Sequence, residues 1–292
     1  MIKNHRTDFV GQIYDTKNFG KVEILQEMIP IGYSKNQRLF KIRFLNTGYT
    51  MVTSLSNVSF ARDRYAITVR GVGYLGDYDY MMQYDPLYNH YAKIWDAMID
   101  RCYNPNHKSY HQYGGIGVRI SDKWKCFRNF YYDVKTIPCY DKHILYPTEY
   151  QLNKDFLQRH IPDSNRVYSK ETCVWASKYE NNLLRNVFDG VKYCGVQYDS
   201  GYYYTKIYYK YYGRFKEMND AAMLFNYIYP IIKVPEFSDL PIQNNVPYKS
   251  FNELMDLNLL LNRKDLNPIL NQLISLYSST TIPDECKGVD LK

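Results

Sequence analysis

No stretch of this sequence approaches the roughly 20 consecutive apolar residues that a membrane-spanning helix needs. Residues 1–6 lead into polar sequence and lack the apolar core of an export signal. The six cysteines include no Cys-x-x-Cys pair. We therefore expect a cytoplasmic protein with no membrane partner, in which the cysteines stay reduced.

Four of the cysteines lie within one segment: Cys102, Cys126, Cys139 and Cys173. Thiolates are zinc ligands, so a zinc site is one interpretation of this cluster. The alternative is that they are small buried apolar residues, as free cysteines commonly are in protein cores.

The chain also lacks a strong excess of one charge, since 37 Lys and Arg stand against 30 Asp and Glu, giving +7. That balance permits a phosphate-bearing partner without requiring one. Tyrosine is abundant, with 33 copies, and its flat ring with a polar tip suits sheet faces and wet interfaces. Hydrophobic residues make up 45% of the chain, enough to form real cores.

The 292 residues favour two or more small domains of α+β class. Short apolar strands around the turn Asn46-Thr47-Gly48 predict an N-terminal β module. The expected organisation, in chain order, is a β module at 1–65, a linker at 66–87, a core at 88–187, a three-stranded sheet with a helix at 188–232, and a linker with C-terminal helices at 233–292.

Apolar residues spaced three and four positions apart predict helices in the segments that follow the β module. They cover Tyr88–Arg101, Lys123–Val134 and Ser177–Asn186. A leucine-rich stripe over Phe251–Tyr277 predicts two further helices, whose apolar face serves either self-association or an ordinary core.

Residues 193–229 contain four elements in order: Tyr193-Cys194-Gly195-Val196, Ser200-Gly201-Tyr202-Tyr203-Tyr204-Thr205-Lys206-Ile207, Tyr212-Gly213-Arg214-Phe215 and Asp220-Ala221-Ala222-Met223-Leu224-Phe225-Asn226. This order resembles the APETALA-type (ethylene-response-factor) DNA-binding domain over nearly its whole length. The resemblance implies a three-stranded sheet crossed by one helix. The opposite face of such a sheet enters the major groove of duplex DNA.

Period-two alternation around Ile207 predicts which side chains share that outward face. The candidate DNA contacts are Gln197, Tyr204, Lys206, Tyr208, Lys210 and Arg214. Cys194 and Gln197 stand where the family has base-reading arginines, so contacts to phosphates are expected to outweigh base reading. The alternative is a face that is only solvated.

A second pattern covers residues 88–186. It comprises Trp95-x-x-Met98-x-x-Arg101-Cys102-Tyr103-Asn104-Pro105, Tyr113-Gly114-Gly115-x-Gly117-Val118, Leu152-Asn153-Lys154-Asp155, Tyr168-Ser169-x-Glu171-Thr172-Cys173-x-Trp175 and Glu180-Asn181-Asn182. It is similar to bacteriophage HNH endonuclease-like proteins, which are often fused to an APETALA-type domain. The resemblance implies a ββα-metal site in which a histidine activates water and one Mg²⁺ or Mn²⁺ ion stabilises the leaving phosphate.

The usual Asp-His pair of that site is replaced here by Asn153-Lys154. The residues left as catalytic candidates are Asp155, His160 and Asn182, of which Asp155 and Asn182 are also the candidate metal ligands. His143 could also approach from a loop, although a core or surface role is the simpler interpretation of either histidine. Asp155 is equally suited to a turn or cap.

Together these patterns predict a DNA-binding protein of phage or mobile-element type that acts on double-stranded DNA in the host cytoplasm. It would be homing-endonuclease-like, with metal-dependent nicking left open because the motif is degenerate. The alternative is a non-catalytic descendant that serves as a DNA-binding, virion or assembly protein.

Overall fold

The computed structural model describes residues 8–29, 38–158, 161–183, 193–207, 210–231 and 244–259, together with 271 and 275. The chain divides into two compact units, one formed by 1–137 with 160–173 and the other by 138–159 with 174–292. Short helices alternate with four small sheets, which confirms the predicted α+β class. Across the described ranges, no helix is long and apolar enough to cross a membrane.

The helices and strands of the described residues are short, and α2 is the longest of them. In chain order they are β1 (Ile13–Asp15), β2 (Lys21–Met28), β3 (Leu39–Phe44), β4 (Thr50–Ser54), α1 (Tyr80–Gln83), α2 (Tyr88–Tyr103), β5 (Arg119–Ile120), α3 (Asp122–Lys125), α4 (Phe127–Asp133), α5 (Tyr140–Leu145), β6 (Tyr150–Asn153), β7 (Val167–Tyr168), β8 (Val174–Ser177), α6 (Lys178–Leu183), β9 (Val196–Asp199), β10 (Tyr202–Ile207), β11 (Lys210–Phe215), α7 (Met218–Ile228) and α8 (Phe251–Leu257).

The predicted N-terminal β module is present as an antiparallel sheet of order β1-β2-β3-β4. Alternate residues of β2 and β3 point to one side and form its core, among them Val22, Ile24, Phe40 and Ile42. The predicted turn joins β3 to β4, and Gly48 there has a φ of 76°, a conformation that glycine adopts at little cost.

The apolar stripe predicted for helix α2 comprises Tyr91, Ile94, Trp95, Met98 and Cys102. All of them are buried on α2 except Ile94, which is half-buried. The single helix predicted over Lys123–Val134 is wrong, because the structure has two helices, α3 and α4. Between them Cys126 is extended, with φ −83° and ψ 118°. The backbone there bonds with Tyr74, whose N–H donates to Lys125 and whose carbonyl accepts from Phe127, so the intrahelical ladder is interrupted.

In the second unit, β6 pairs with β8 in antiparallel fashion and α6 follows directly, forming a ββα motif. A reciprocal capping box starts α6: Glu180 N–H donates to Ser177 Oγ at 3.2 Å and Ser177 N–H donates to Glu180 Oε2 at 2.8 Å. The end predicted for this helix, Asn186, lies outside the described residues.

The predicted three-stranded antiparallel sheet with one helix across it is confirmed, with strand order β11-β10-β9 and α7 packed on one side. Thr205 and Ile207 face that helix, and Thr205 Oγ1 donates to the carbonyl of Ala221 at 2.7 Å. Ala221 and Ala222 are fully buried, since their small side chains let α7 lie close to the sheet.

One hydrophobic core joins the ββα motif to this sheet, since Phe156, Val174 and Ala176 pack in the same cluster as Val196 and the α7 residues. The units of the structure therefore differ from the predicted module plan, in which a boundary fell at 187/188 and residues 88–187 formed one core.

Part of the C-terminal segment also belongs to this core. Phe251, Leu254 and Met255 of α8 are buried there. Residue Leu257 is 45% exposed, and most of the remaining leucine stripe lies outside the described residues. Self-association through these helices stays a prediction.

Candidate functional site

The side of the three-stranded sheet that faces away from α7 carries most of the predicted DNA contacts. Strand register places its side chains together, because Tyr204 pairs with both Gln197 and Arg214 while Lys206 pairs with Tyr211. We call this surface the outer face and define it by Gln197, Tyr202, Tyr204, Lys206, Tyr211 and Arg214.

Lys206 is at the centre of a small polar network on the outer face. Its Nζ donates to Gln197 Oε1 at 3.0 Å and lies 5.0 Å from the centroid of the Tyr211 ring. The hydroxyl of Tyr211 also donates to Gln197 Oε1, at 3.4 Å. Tyr204 meets Tyr211 edge-on, with centroids 5.3 Å apart. The ammonium is therefore held in place at the surface of the sheet by aromatic and amide groups.

Arg214 provides the second cation of the outer face. Its guanidinium lies 4.8 Å from the centroid of the Tyr202 ring, a cation–π distance. Its backbone is held by the C-terminal segment, since Arg214 N–H donates to Asn258 Oδ1 at 3.1 Å and its carbonyl accepts from Leu259 at 2.9 Å. Within the described residues its Nε is buried without a hydrogen-bond acceptor.

The prediction that Lys210 shares the outer face with Lys206 is wrong. Strand β10 ends at Ile207, and Lys210 begins the next strand directly opposite Ile207, so the two share the α7 side of the sheet. The period-two prediction treated Tyr204 to Lys210 as one continuous strand. Tyr208 lies outside the described residues.

Tyr202 and Tyr211 were missed as members of the outer face. A register shift opposite Thr205 and Lys206 leaves one extra residue in β11, so simple alternation misassigns the positions beyond it. Alternation within β10 alone, from Lys206 back to Tyr202, was a signal that would have found Tyr202.

The ββα motif brings together the residues at which the sequence departs from the endonuclease pattern. Asn153 ends β6, and its side-chain amide donates to Oδ1 of Asn181 on α6. Asn153 therefore joins the end of β6 to α6. Asn182, the predicted ligand on the same helix, is exposed. His160 lies outside the described residues.

Lys154 and Asp155 form an ion pair beside Asn153, with Nζ 2.5 Å from Oδ1. Only 5% of Lys154 is exposed, whereas 31% of the Asp155 side chain is exposed. Asn153 Oδ1 accepts from the backbone N–H groups of Asp155 and Phe156, both at 2.7 Å. Asp155 therefore lies in a turn organised by Asn153, one of the two roles the sequence left open for it.

His143 is a core residue of the second unit. It is 1% exposed, its ring stacks on Trp175 with centroids 3.6 Å apart, and its Nδ1 lies 3.1 Å from the carbonyl oxygen of Tyr150. His143 therefore has the core role that the sequence analysis gave as its simpler interpretation.

In the part of the chain that the structure describes, no group of three or more His, Cys, Asp or Glu is arranged to hold a metal ion. Cys102, Cys126 and Cys173 are buried, as small apolar residues are.

No protein-family model, curated protein or solved structure matches this chain. The geometry of the outer face and of the ββα motif therefore carries the functional argument.

Proposed function

We propose that this chain is a DNA-binding protein of phage or mobile-element type, acting in the cytoplasm, whose outer face contacts duplex DNA. The observation that carries the proposal is the placement of Lys206 and Arg214 on one side of a small sheet whose other side is buried by α7. Two positioned cations among tyrosine rings suit phosphates, which accept hydrogen bonds from Lys, Arg and Tyr alike.

Binding of this kind depends little on base sequence. Gln197 reads adenine only when both its amide oxygen and its amide nitrogen face the base edge. Its oxygen already accepts hydrogen bonds from Lys206 and Tyr211, so this bidentate contact is disfavoured. Phosphate contacts then supply most of the affinity, and the affinity depends on salt.

Fluorescence anisotropy with labelled duplexes at several salt concentrations tests this proposal. We expect log K to fall linearly with log salt, with a slope of about one unit for each phosphate contact. Two duplexes of unrelated sequence should bind with similar affinity. An affinity that does not change between low and moderate salt would contradict the proposal.

DNA nicking is a second candidate function, favoured by the β6–β8 pair followed by α6, the order of elements in an HNH-type site. A plasmid-nicking assay with Mg²⁺ or Mn²⁺, with and without chelator, tests it. We expect slow or absent cleavage, because a lysine ammonium stands where the general base belongs and accepts no proton at neutral pH.

Self-association through the C-terminal helices is a separate proposal. Sedimentation velocity over a range of protein concentrations tests it.

A further inference from the structure

The ββα motif can be tested for its fit to a divalent ion. Mg²⁺ and Mn²⁺ take carboxylate and carbonyl oxygens as ligands. Asn153, Asp155 and Asn181 offer such oxygens around the end of β6, whereas Asn182 is exposed on α6. Asn153 Oδ1 already accepts two backbone hydrogen bonds, and Asn181 Oδ1 accepts one from Asn153. Both of these amide oxygens are thus engaged within the protein.

The third oxygen donor, Asp155, already has a cation beside it. Lys154 Nζ lies 2.5 Å from Asp155 Oδ1, and the Lys154 residue is 5% exposed. A buried ammonium is tolerated only when paired or hydrogen-bonded, because losing its hydration is costly. A divalent ion at Asp155 would also lie within a few ångströms of this like charge and be repelled. The residues present therefore do not fit a divalent metal.

The backbone of Lys154 also takes part in the local fold. The carbonyl of Lys154 accepts from Gln158 Nε2 at 2.6 Å, and Gln158 is itself buried. The turn that follows β6 is consequently held at both ends of Lys154, by its backbone and by its side chain. Phe156, two residues further on, is packed in the core of the second unit.

We propose that the ammonium of Lys154 takes the place of the divalent ion in this ββα motif, as an internal cation that neutralises Asp155 and holds the turn after β6. The motif is then a metal-independent structural element of the DNA-binding protein. This inference concerns metal binding and folding, so it does not depend on whether the outer face binds DNA.

The first test uses the wild-type protein and Mn²⁺ alone, in equilibrium dialysis and thermal unfolding. We expect no saturable Mn²⁺ binding to this motif and no rise in Tm. If saturable binding to wild type is lost in Asp155→Ala, the proposal is overturned. This measurement decides the question even if no variant of Lys154 folds.

The second test replaces the internal cation. Lys154→Met keeps a side chain of similar length but leaves the Asp155 carboxylate without the ammonium, so we expect a lower Tm than wild type. Mn²⁺ should then restore part of the loss, by about 5 °C at a concentration roughly 100 times its dissociation constant. The matched control is the double variant Lys154→Met with Asp155→Asn, which has no carboxylate to neutralise and should not respond to Mn²⁺.

If Mn²⁺ raises the Tm of Lys154→Met but not that of the double variant, the result supports the proposal that the ammonium replaces a metal ion. If Mn²⁺ leaves the Tm of Lys154→Met unchanged, or raises the Tm of both variants equally, the proposal is overturned.

Discussion

Lys206 Nζ donates to Gln197 Oε1 at 3.0 Å, which joins β10 to the neighbouring strand β9 on the outer face. The bond restricts a long side chain that would otherwise sample many rotamers. A positioned ammonium loses less conformational entropy when it meets a phosphate than a freely moving one does. This relationship makes Lys206 the first residue to change in a test of DNA binding.

Replacing Lys206 by alanine should remove one phosphate contact. We expect weaker binding to duplexes of any sequence and a log–log salt slope smaller by about one unit. Anisotropy titrations from about 50 to 200 mM salt measure both quantities. The matched control is Lys178→Ala on α6, which is not part of the outer face. The Lys178 Nζ atom lies 3.5 Å from Glu149 Oε1. Equal slopes for both variants would rule out the role given to Lys206.

Asp155→Ala should leave DNA binding intact, because Asp155 lies in the ββα motif and not on the outer face. Chelator should likewise leave the affinity of the wild type unchanged. Plasmid nicking by the wild type in Mg²⁺ or Mn²⁺ should be slow or absent. Rapid metal-dependent cleavage that is abolished by Asp155→Ala or His160→Ala would show that the chain has rebuilt its site and that Lys154 is no obstacle.

Gly195→Ala should strongly destabilise the three-stranded sheet and the helix α7 packed on it. Gly195 has a φ of 68°, and an added Cβ would lie 2.0 Å from the Phe225 ring. Gly201→Ala is the matched control, since its φ is 83° but its Cβ would meet nothing within 4 Å. We expect about 1–2 kcal/mol for Gly201→Ala from backbone strain alone. Gly195→Ala should cost about 1–3 kcal/mol more through overpacking. Urea unfolding measures the difference, and equal losses would contradict this account.

Glu180→Ala should lower the free energy of unfolding by about 2–4 kcal/mol, because it leaves buried donors unsatisfied. Glu180 is 0% exposed and accepts from Ser177 N–H at 2.8 Å and from the Tyr229 hydroxyl at 3.2 Å. Glu253→Ala removes the capping box of the exposed start of α8 and should cost clearly less. Chemical denaturation measures the free energy of unfolding of both variants. A larger loss of this free energy in Glu253→Ala than in Glu180→Ala would contradict the prediction.

Acid should weaken the attachment of the α1 segment to α4. The hydroxyl of Tyr132, and then the N–H of Met82, hold the pKa of Asp79 below its ordinary value. The unfolded chain therefore takes up this proton at higher pH than the folded protein does. The stabilisation is complete above the unfolded pKa of about 3.9 and is lost as pH falls through the lower folded pKa.

Asp79→Asn should accordingly unfold more easily than wild type at pH 7, with the difference shrinking below about pH 4. Urea midpoints measured at several pH values test this. The exposed Asp96→Asn on α2 serves as the control for the loss of one surface carboxylate. A difference in urea midpoint between wild type and Asp79→Asn that stays constant down to pH 3 would count against the role of Asp79.

Local sequence patterns were sufficient for the elements whose contacts are local. The stripe Tyr91, Trp95 and Met98 predicted α2 because residues three and four apart share one face of a helix. The APETALA-type resemblance implied the sheet and the helix that packs on it, and alternation around Ile207 assigned the two sides of β10. The stripe and the alternation depend on the periods of the backbone, which a single sequence displays directly.

Of the outer-face residues beyond β10, the sequence predicted Arg214 but missed Tyr211. Lys210 and Tyr211 change sides because the strand ends at Ile207 and β11 contains an extra residue. A register shift of one position moves side chains to the opposite face, and only the pairing with a partner strand reveals it. The sequence predicted Lys206, Arg214 and Tyr204 on this face, and only strand pairing showed that Tyr211 joins them.

The sequence by itself determined the α+β class, the small sheet crossed by α7, and the substitution of Asn153-Lys154 in the endonuclease-like pattern. Only the tertiary structure decided that Lys154 is buried against Asp155, and that the ββα motif shares a core with the three-stranded sheet. The physical reason is that burial depends on packing between residues distant in sequence, such as Phe156 and Val196, which no local period encodes.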